Sequence, residues 1–127
     1  MLSINKGKVG ELAVRKDLVN SGYNIFIPEV DNGVDLLVEL SNGSIKKVQI
    51  KTAYKMKTET SLEVDTRKYI DTNTVDVVAI YYQPEDDIAY VPFENTRSIN
   101  LALRTAKNNQ NEGRKWFYGY RSFPEFS

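Results

Sequence analysis

The sequence predicts one α/β domain, a mixed β-sheet covered by helices. Three observations predict it: 127 residues without a repeat or interdomain linker, an opening stretch with helical apolar spacing, and a series of short β-rich segments punctuated by turn signals. With 41% hydrophobic and 27% charged residues, the composition is that of a chain that builds a core.

Taken in order, Ser3–Asn20 reads as a helix: Ser3 is placed to cap it, Val9, Leu12, Ala13, Lys16 and Val19 fall at helical spacing, and Ser21-Gly22 supplies the stop. Tyr23–Pro28 reads as a short strand. Val34–Leu40 is a second strand, and Ser41-Asn42-Gly43 turns it into a third, Ser44–Thr52. Ala53–Thr74 is polar, with a strand expected at Leu62–Asp65 and a short helix near Arg67–Ile70. Val75–Tyr82 is strongly strand-like, Gln83–Asp87 is a turn, and Ile88–Pro92 returns as its hairpin partner. Ser98–Arg104 suits either a strand or a helix, and the alternation of Ile99, Leu101 and Leu103 favours the strand. Lys107–Arg114 reads as a loop and Trp116–Phe126 as an aromatic tail.

The chain has no cysteine and no histidine. Disulfides, thiolate metal sites, cysteine nucleophiles, Ser-His-Asp triads and a histidine general base are therefore excluded. What remains for catalysis is carboxylates, amides, Lys, Arg, Tyr, or a hard metal held through oxygen. No window approaches the roughly 18 apolar residues of a membrane span, and Met1–Gly10 lacks a signal-peptide core, so a soluble cytoplasmic protein is expected. Seventeen basic residues balance seventeen acidic ones, yet Lys46–Lys57 carries five positive residues and no acid, and Arg97–Arg121 carries six against Glu112 alone. These are two basic stripes or two ordinary solvated faces.

Period-two alternation places Asp35, Leu37 and Glu39 on one face of the second strand, and Gln49 and Lys51 on one face of the third. A three-residue loop at Ser41-Asn42-Gly43 sets Leu40 opposite Ser44 and Asp35 opposite Gln49, with Cβ atoms about 5 Å apart. A two-residue turn would instead oppose Asp35 to Ile50 and mix apolar with polar positions, so patterning predicts an odd loop or a compensating bulge. The resulting face holds a carboxylate, an amide oxygen and an ammonium. Such a set suits Mg²⁺, with Asp35 as the anionic ligand and the Gln49 side-chain oxygen and Ile50 carbonyl as neutral ones. Lys51 can orient a nucleophilic water and offset developing charge. The competing reading is a cross-strand polar cluster on a solvated face.

Gly7-Lys8-Val9-Gly10-Glu11, Gly33-Val34-Asp35-Leu36-Leu37-Val38 and Gln49-Ile50-Lys51 resemble, in order and spacing, the three motifs of the PD-(D/E)xK nuclease superfamily. Within it the chain looks closest to the small single-domain branch with Holliday junction resolvases and group I intron homing endonucleases. The likeness runs from Lys6 to about Pro92. It implies a restriction-endonuclease-like fold, an αβββαβ core, and metal-dependent hydrolysis of phosphodiester bonds. Residue by residue it implies that Glu11 and Asp35 are metal ligands and Lys51 the catalytic lysine. Gln49 stands where an acid is commoner, which removes one negative charge, and Val34 replaces the proline of the family name.

A Mg²⁺-dependent DNA endonuclease is therefore expected, with Mn²⁺ substituting, acting on DNA as a homodimer or homotetramer because one site per chain cuts one strand. The alternatives are a catalytically degenerate nucleic-acid-binding module on the same fold, or an interaction protein. Lys46, Lys47, Lys55 and Lys57, with Arg114 and Lys115 in the tail, are candidate phosphate contacts. Trp116, Phe117, Phe123 and Phe126 are candidates for a subunit interface, and packing on the chain's own core is the competing reading. Gly10 and Gly7 allow close approach to a phosphate or to the sheet. Asp76 is expected to make a strand-end hydrogen bond, and Glu29 and Asp31 to be solvated in a loop.

Overall fold

The computed structural model describes residues 3–30, 33–105 and 113–126. The first element is α1 (Ser3–Asn20), as its spacing predicts. Val14 and Leu18, one turn apart, are its buried apolar side chains, and Val9 and Ala13 pack beside them. Gly22 ends the helix at φ +91°, with the Tyr23 N–H reaching back to the Leu18 carbonyl and the Gly22 N–H to Val19. This paired closure needs a left-handed residue, and glycine takes it without steric cost. The expected cap by Ser3 concerns a side chain outside those described.

Seven strands follow: β1 (Asn24–Phe26), β2 (Leu36–Glu39), β3 (Ile45–Ala53), β4 (Ser61–Asp65), β5 (Val77–Tyr82), β6 (Asp87–Pro92) and β7 (Ser98–Ala102). Five of them form a mixed sheet in the order β1-β2-β3-β5-β6, and β4 and β7 form a separate two-stranded sheet. The β2–β3 ladder pairs Leu36 with Val48 and Leu37 with Lys47, the register that the three-residue loop predicts. The loop closes with Leu40 N–H donating to the Ser44 carbonyl at 2.8 Å, and Asn42 Oδ1 accepts from the Ser44 N–H and hydroxyl.

β3 and β5 run parallel, so the chain must cross over between them. The αβββαβ order leads one to expect a helix there. The crossover instead holds β4 and a single 3-10 turn, Arg67–Tyr69, and among the described residues α1 is the one α-helix. The reason is visible in the segment itself, where Leu62 and Val64 alternate with period two and no helical apolar stripe exists. β4 pairs antiparallel with β7, from Ser61↔Ala102 to Asp65↔Ser98. Residues 107–112 of the expected loop lie outside the described residues, as does Asp31.

The two faces of the five-stranded sheet are covered differently. On one, α1 and the C-terminal Phe123 cover Leu36, Val48, Ile50, Val77, Ala79 and Tyr90. On the other, Leu62, Val64, Ile99 and Leu101 of the small sheet, with Phe117, cover Val78, Ile80, Ala89 and Val91. All six residues of β5 are buried, as a central strand covered on both faces requires. Phe117 (0% exposed) and Phe123 (5%) thus belong to the chain's own core, which corrects the expectation that they face a second subunit.

Candidate active site

The site forms where β2 and β3 part. Strand geometry turns the N–H and C=O of Val48 and Ile50 toward β2. An uninterrupted ladder would offer Ile50 N–H the carbonyl of Val34. β2, however, begins only at Leu36, and Asp35 N–H bends back to the Val48 carbonyl at 3.0 Å. The Asp35 carboxylate fills the gap: its Oδ2 accepts from Ile50 N–H at 2.8 Å and from Gln49 Nε2 at 2.7 Å. The carboxylate is thereby fixed against the β3 backbone by two donors, with the Ile50 carbonyl on the same edge of the strand.

Asp35, Gln49 and Gly33 line a cavity of about 370 Å³ whose far wall comes from the crossover: Lys68, Tyr69, Thr72 and Thr74. Gln49 Oε1 is buried and has no hydrogen-bond partner among the described residues. An orphaned oxygen beside a carboxylate is costly unless something positive meets it. A divalent cation would satisfy both, so the donor set of Asp35, Gln49 Oε1 and the Ile50 carbonyl fits the oxygen chemistry of Mg²⁺. Lys51, on the same face as Gln49, places its Nζ 5.2 Å from the centre of the Tyr69 ring. Nearby, the Arg67 guanidinium holds the Asp65 carboxyl well below the usual carboxylate range, and Lys51 lowers it further. Burial pushes the Tyr69 hydroxyl up from its ordinary value, with Lys68 pulling the other way.

The structure thus brings Asp35, Gln49 and Ile50 together, with Lys51 on the same face of β3 and its ammonium over the Tyr69 ring. Glu11 sits differently. Helix α1 packs on the β3 face that carries Val48, Ile50 and Thr52, and the Glu11 carboxylate is engaged by Lys8 at 3.5 Å and Arg15 at 3.8 Å of its own helix. Among the described residues no three acidic side chains converge on one point. The crossing of α1 and β3 is close because Gly10 lies directly over Thr52.

The basic candidates are dispersed. Lys47 Nζ donates to the Asn73 carbonyl at 2.6 Å, at the rim of the cavity. Lys46 lies over the Phe126 ring at 4.3 Å, on the α1 side, and Lys55 is exposed just beyond β3. Lys57 pairs with Glu63 at 3.5 Å and Lys115 with Glu94 at 3.6 Å. Arg114 donates to Thr60 Oγ1 at 2.9 Å and to the Arg104 carbonyl, and stacks on Trp116. Asp76 makes the strand-end bond expected of it, accepting from Lys47 N–H at 2.8 Å where the parallel ladder starts. Sequence reasoning missed Tyr69 and the threonines of the crossover, which reach the site through tertiary packing.

A sequence profile of the PD-(D/E)XK endonuclease family matches residues 1–123. The chain belongs to the PD-(D/E)XK endonuclease family. Among solved structures, this endonuclease is similar to the bacterial homing endonuclease I-Ssp6803I, with a TM-score of 0.71 at 22% identity over 94% of this chain and 86% of the other. No curated protein matches its sequence. The fold of the family is therefore the fold of this chain, and the family identity makes it a nuclease. No helix among the described residues is long and apolar enough to cross a membrane.

Proposed function

We propose that this PD-(D/E)XK protein is a Mg²⁺-dependent DNA endonuclease of the homing or junction-resolving kind, whose site is Asp35, Gln49, Ile50 and Lys51. The observation that carries the reading is the buried, unmatched Gln49 Oε1 beside a carboxylate that two donors fix in place. Asp35, Gln49 Oε1 and the Ile50 carbonyl would hold the cation. When bound, Mg²⁺ supplies Lewis-acid stabilisation of charge on the phosphate and leaving oxygens. Lys51 orients the attacking water and offsets charge gathering on the phosphate. Glu11 contributes by leaving its ion pairs with Lys8 and Arg15, which are long and partly exposed and therefore weak. With one site per chain, cutting a duplex takes two copies, in a homodimer or homotetramer.

The test is cleavage of supercoiled plasmid, mixed-sequence duplex and a synthetic four-way junction in Mg²⁺, Mn²⁺ or EDTA. Asp35→Asn keeps an oxygen for the Ile50 N–H while removing the charge. Both it and Lys51→Ala are expected to lower the rate about a hundredfold or more without unfolding the protein. Cutting retained by either variant would overturn the assignment. Salt-sensitive DNA binding with no metal-dependent turnover would point instead to the degenerate binding module.

A further inference from the structure

The functional reading leaves unexplained why a tyrosine from the crossover is buried at the mouth of the site. Tyr69 is 4% exposed and packs edge-on to Phe93, with centroids 6.4 Å apart and planes at 89°. Its backbone is pinned: the Tyr69 N–H bonds to the Thr66 carbonyl, the Thr66 hydroxyl donates to the Thr96 carbonyl at 2.6 Å, and the Thr72 hydroxyl donates to the Tyr69 carbonyl at 2.7 Å. The ring is thus held from behind by the core and from both sides along the chain. Its hydroxyl is buried, with no well-aligned hydrogen bond among the described residues and only the exposed Lys68 drawing on it, so the phenol oxygen does not account for its placement. The ring face does. Lys51 Nζ lies 5.2 Å from the ring centre, within range of attraction between an ammonium and the negative π-face.

We infer that Tyr69 is a positioning residue that seats Lys51 against its ring, so that the ammonium is already held beside a wall of the Asp35–Gln49 cavity when substrate arrives. This rests on the nuclease reading for its catalytic consequence, though not for the contact itself. A lysine has four methylenes and loses much rotamer freedom when held in one geometry. A rigid aromatic face restricts that freedom before the reaction. Lys68 lies over the same ring at 5.3 Å and lines the same cavity, so the ring meets two ammoniums: Lys68, exposed on the 3-10 turn, and Lys51, half-buried on β3 beside Ile50. Because the ring acts and not the hydroxyl, phenylalanine should replace tyrosine and an aliphatic residue should not.

Two readouts separate this idea from the nuclease reading. The first needs no catalysis: the Lys51 side-chain CεH₂ signals, assigned by comparing wild type with Lys51→Arg in ¹H–¹³C spectra, should be shifted upfield by the ring current, kept in Tyr69→Phe and lost in Tyr69→Leu. Unshifted wild-type signals would overturn the proposal, and this holds even where Tyr69→Leu fails to fold. The second is kinetic, on whichever DNA the wild type cuts in Mg²⁺. Tyr69→Leu should lower kcat about tenfold with KM nearly unchanged, and Tyr69→Phe should stay close to wild type. A Tyr69→Leu defect confined to KM, or an equal loss in Tyr69→Phe, would overturn it. A ring-current shift in a protein that cuts nothing would sustain the seat while sinking the nuclease reading.

Discussion

Replacing Gly10 by alanine tests how α1 is seated on the sheet. A Cβ at Gly10 would lie 1.9 Å from Thr52 Oγ1 and 3.2 Å from Thr52 Cβ, whereas at Gly7 it would meet nothing within 4 Å among the described residues. The first distance is more than an ångström inside van der Waals contact. Relief requires either turning Thr52 to another rotamer or lifting the helix from β3, where Val14 and Leu18 are fully buried. Overpacking of this kind costs about 1–3 kcal/mol, and alanine returns up to ~1 kcal/mol through its better helix propensity. The expected net loss is ~1–2 kcal/mol, a melting temperature lower by roughly 4–8 °C for a chain of this size. Thermal unfolding followed by circular dichroism measures it. Thr52→Ala removes the oxygen and leaves only the 3.2 Å contact, so the double variant should recover most of the loss. A Gly10→Ala protein as stable as wild type would refute the close crossing, and so would a double variant that recovers nothing.

Two further outcomes follow from the packing. Phe123→Ala, at a ring that meets Tyr23 at 5.4 Å and Tyr90 at 5.7 Å, should cost about 3–5 kcal/mol in urea unfolding, and a loss below ~1 kcal/mol would show that the tail does not hold the core. The Tyr81 hydroxyl, donating to Asp86 at 2.6 Å, is pushed up to about 12 chiefly by that bond and then by burial. The folded state therefore binds the phenol proton more tightly than the unfolded chain, so this contribution is complete below about pH 10 and is lost between about pH 10 and 12, at up to ~1.4 kcal/mol per pH unit. Tyr81→Phe should flatten part of that decline in pH-dependent unfolding, and an unchanged slope would contradict it.

Local rules made much of this molecule readable. The helix from Ser3 to Asn20 with its Gly22 stop follows from spacing and backbone freedom, both properties of neighbouring residues. The β2–β3 register follows from the period of two, because only one loop parity keeps Val48 and Ile50 inside while Asp35, Gln49 and Lys51 share the other face. The remainder depends on contacts far apart in sequence. Leu62 and Val64 announce a strand, but that it pairs with Ile99 and Leu101 is decided by which apolar face the five-stranded sheet leaves uncovered. Tyr69 enters the site for the same reason: nothing around Arg67–Ile70 marks an aromatic ring that meets a lysine 18 positions earlier. Charge counted along a chain ignores faces, so the Lys46–Lys57 stripe does not form one surface: Lys46 and Lys47 point to opposite sides of β3.

The parting of β2 from β3 has a consequence for observation. Main-chain protons in a sheet are ordinarily held by carbonyls, whose basicity is constant across the physiological pH range. The Ile50 amide proton is held by a carboxylate oxygen instead. Its resonance and its rate of exchange with solvent therefore report on the charge of Asp35, because protonation or a cation drawing on the same oxygen loosens the grip on that one hydrogen. The Ile50 peptide group thus works as a built-in electrode for the site, as that of Lys47, held by Asp76, does where the parallel ladder starts, and both are readable by NMR.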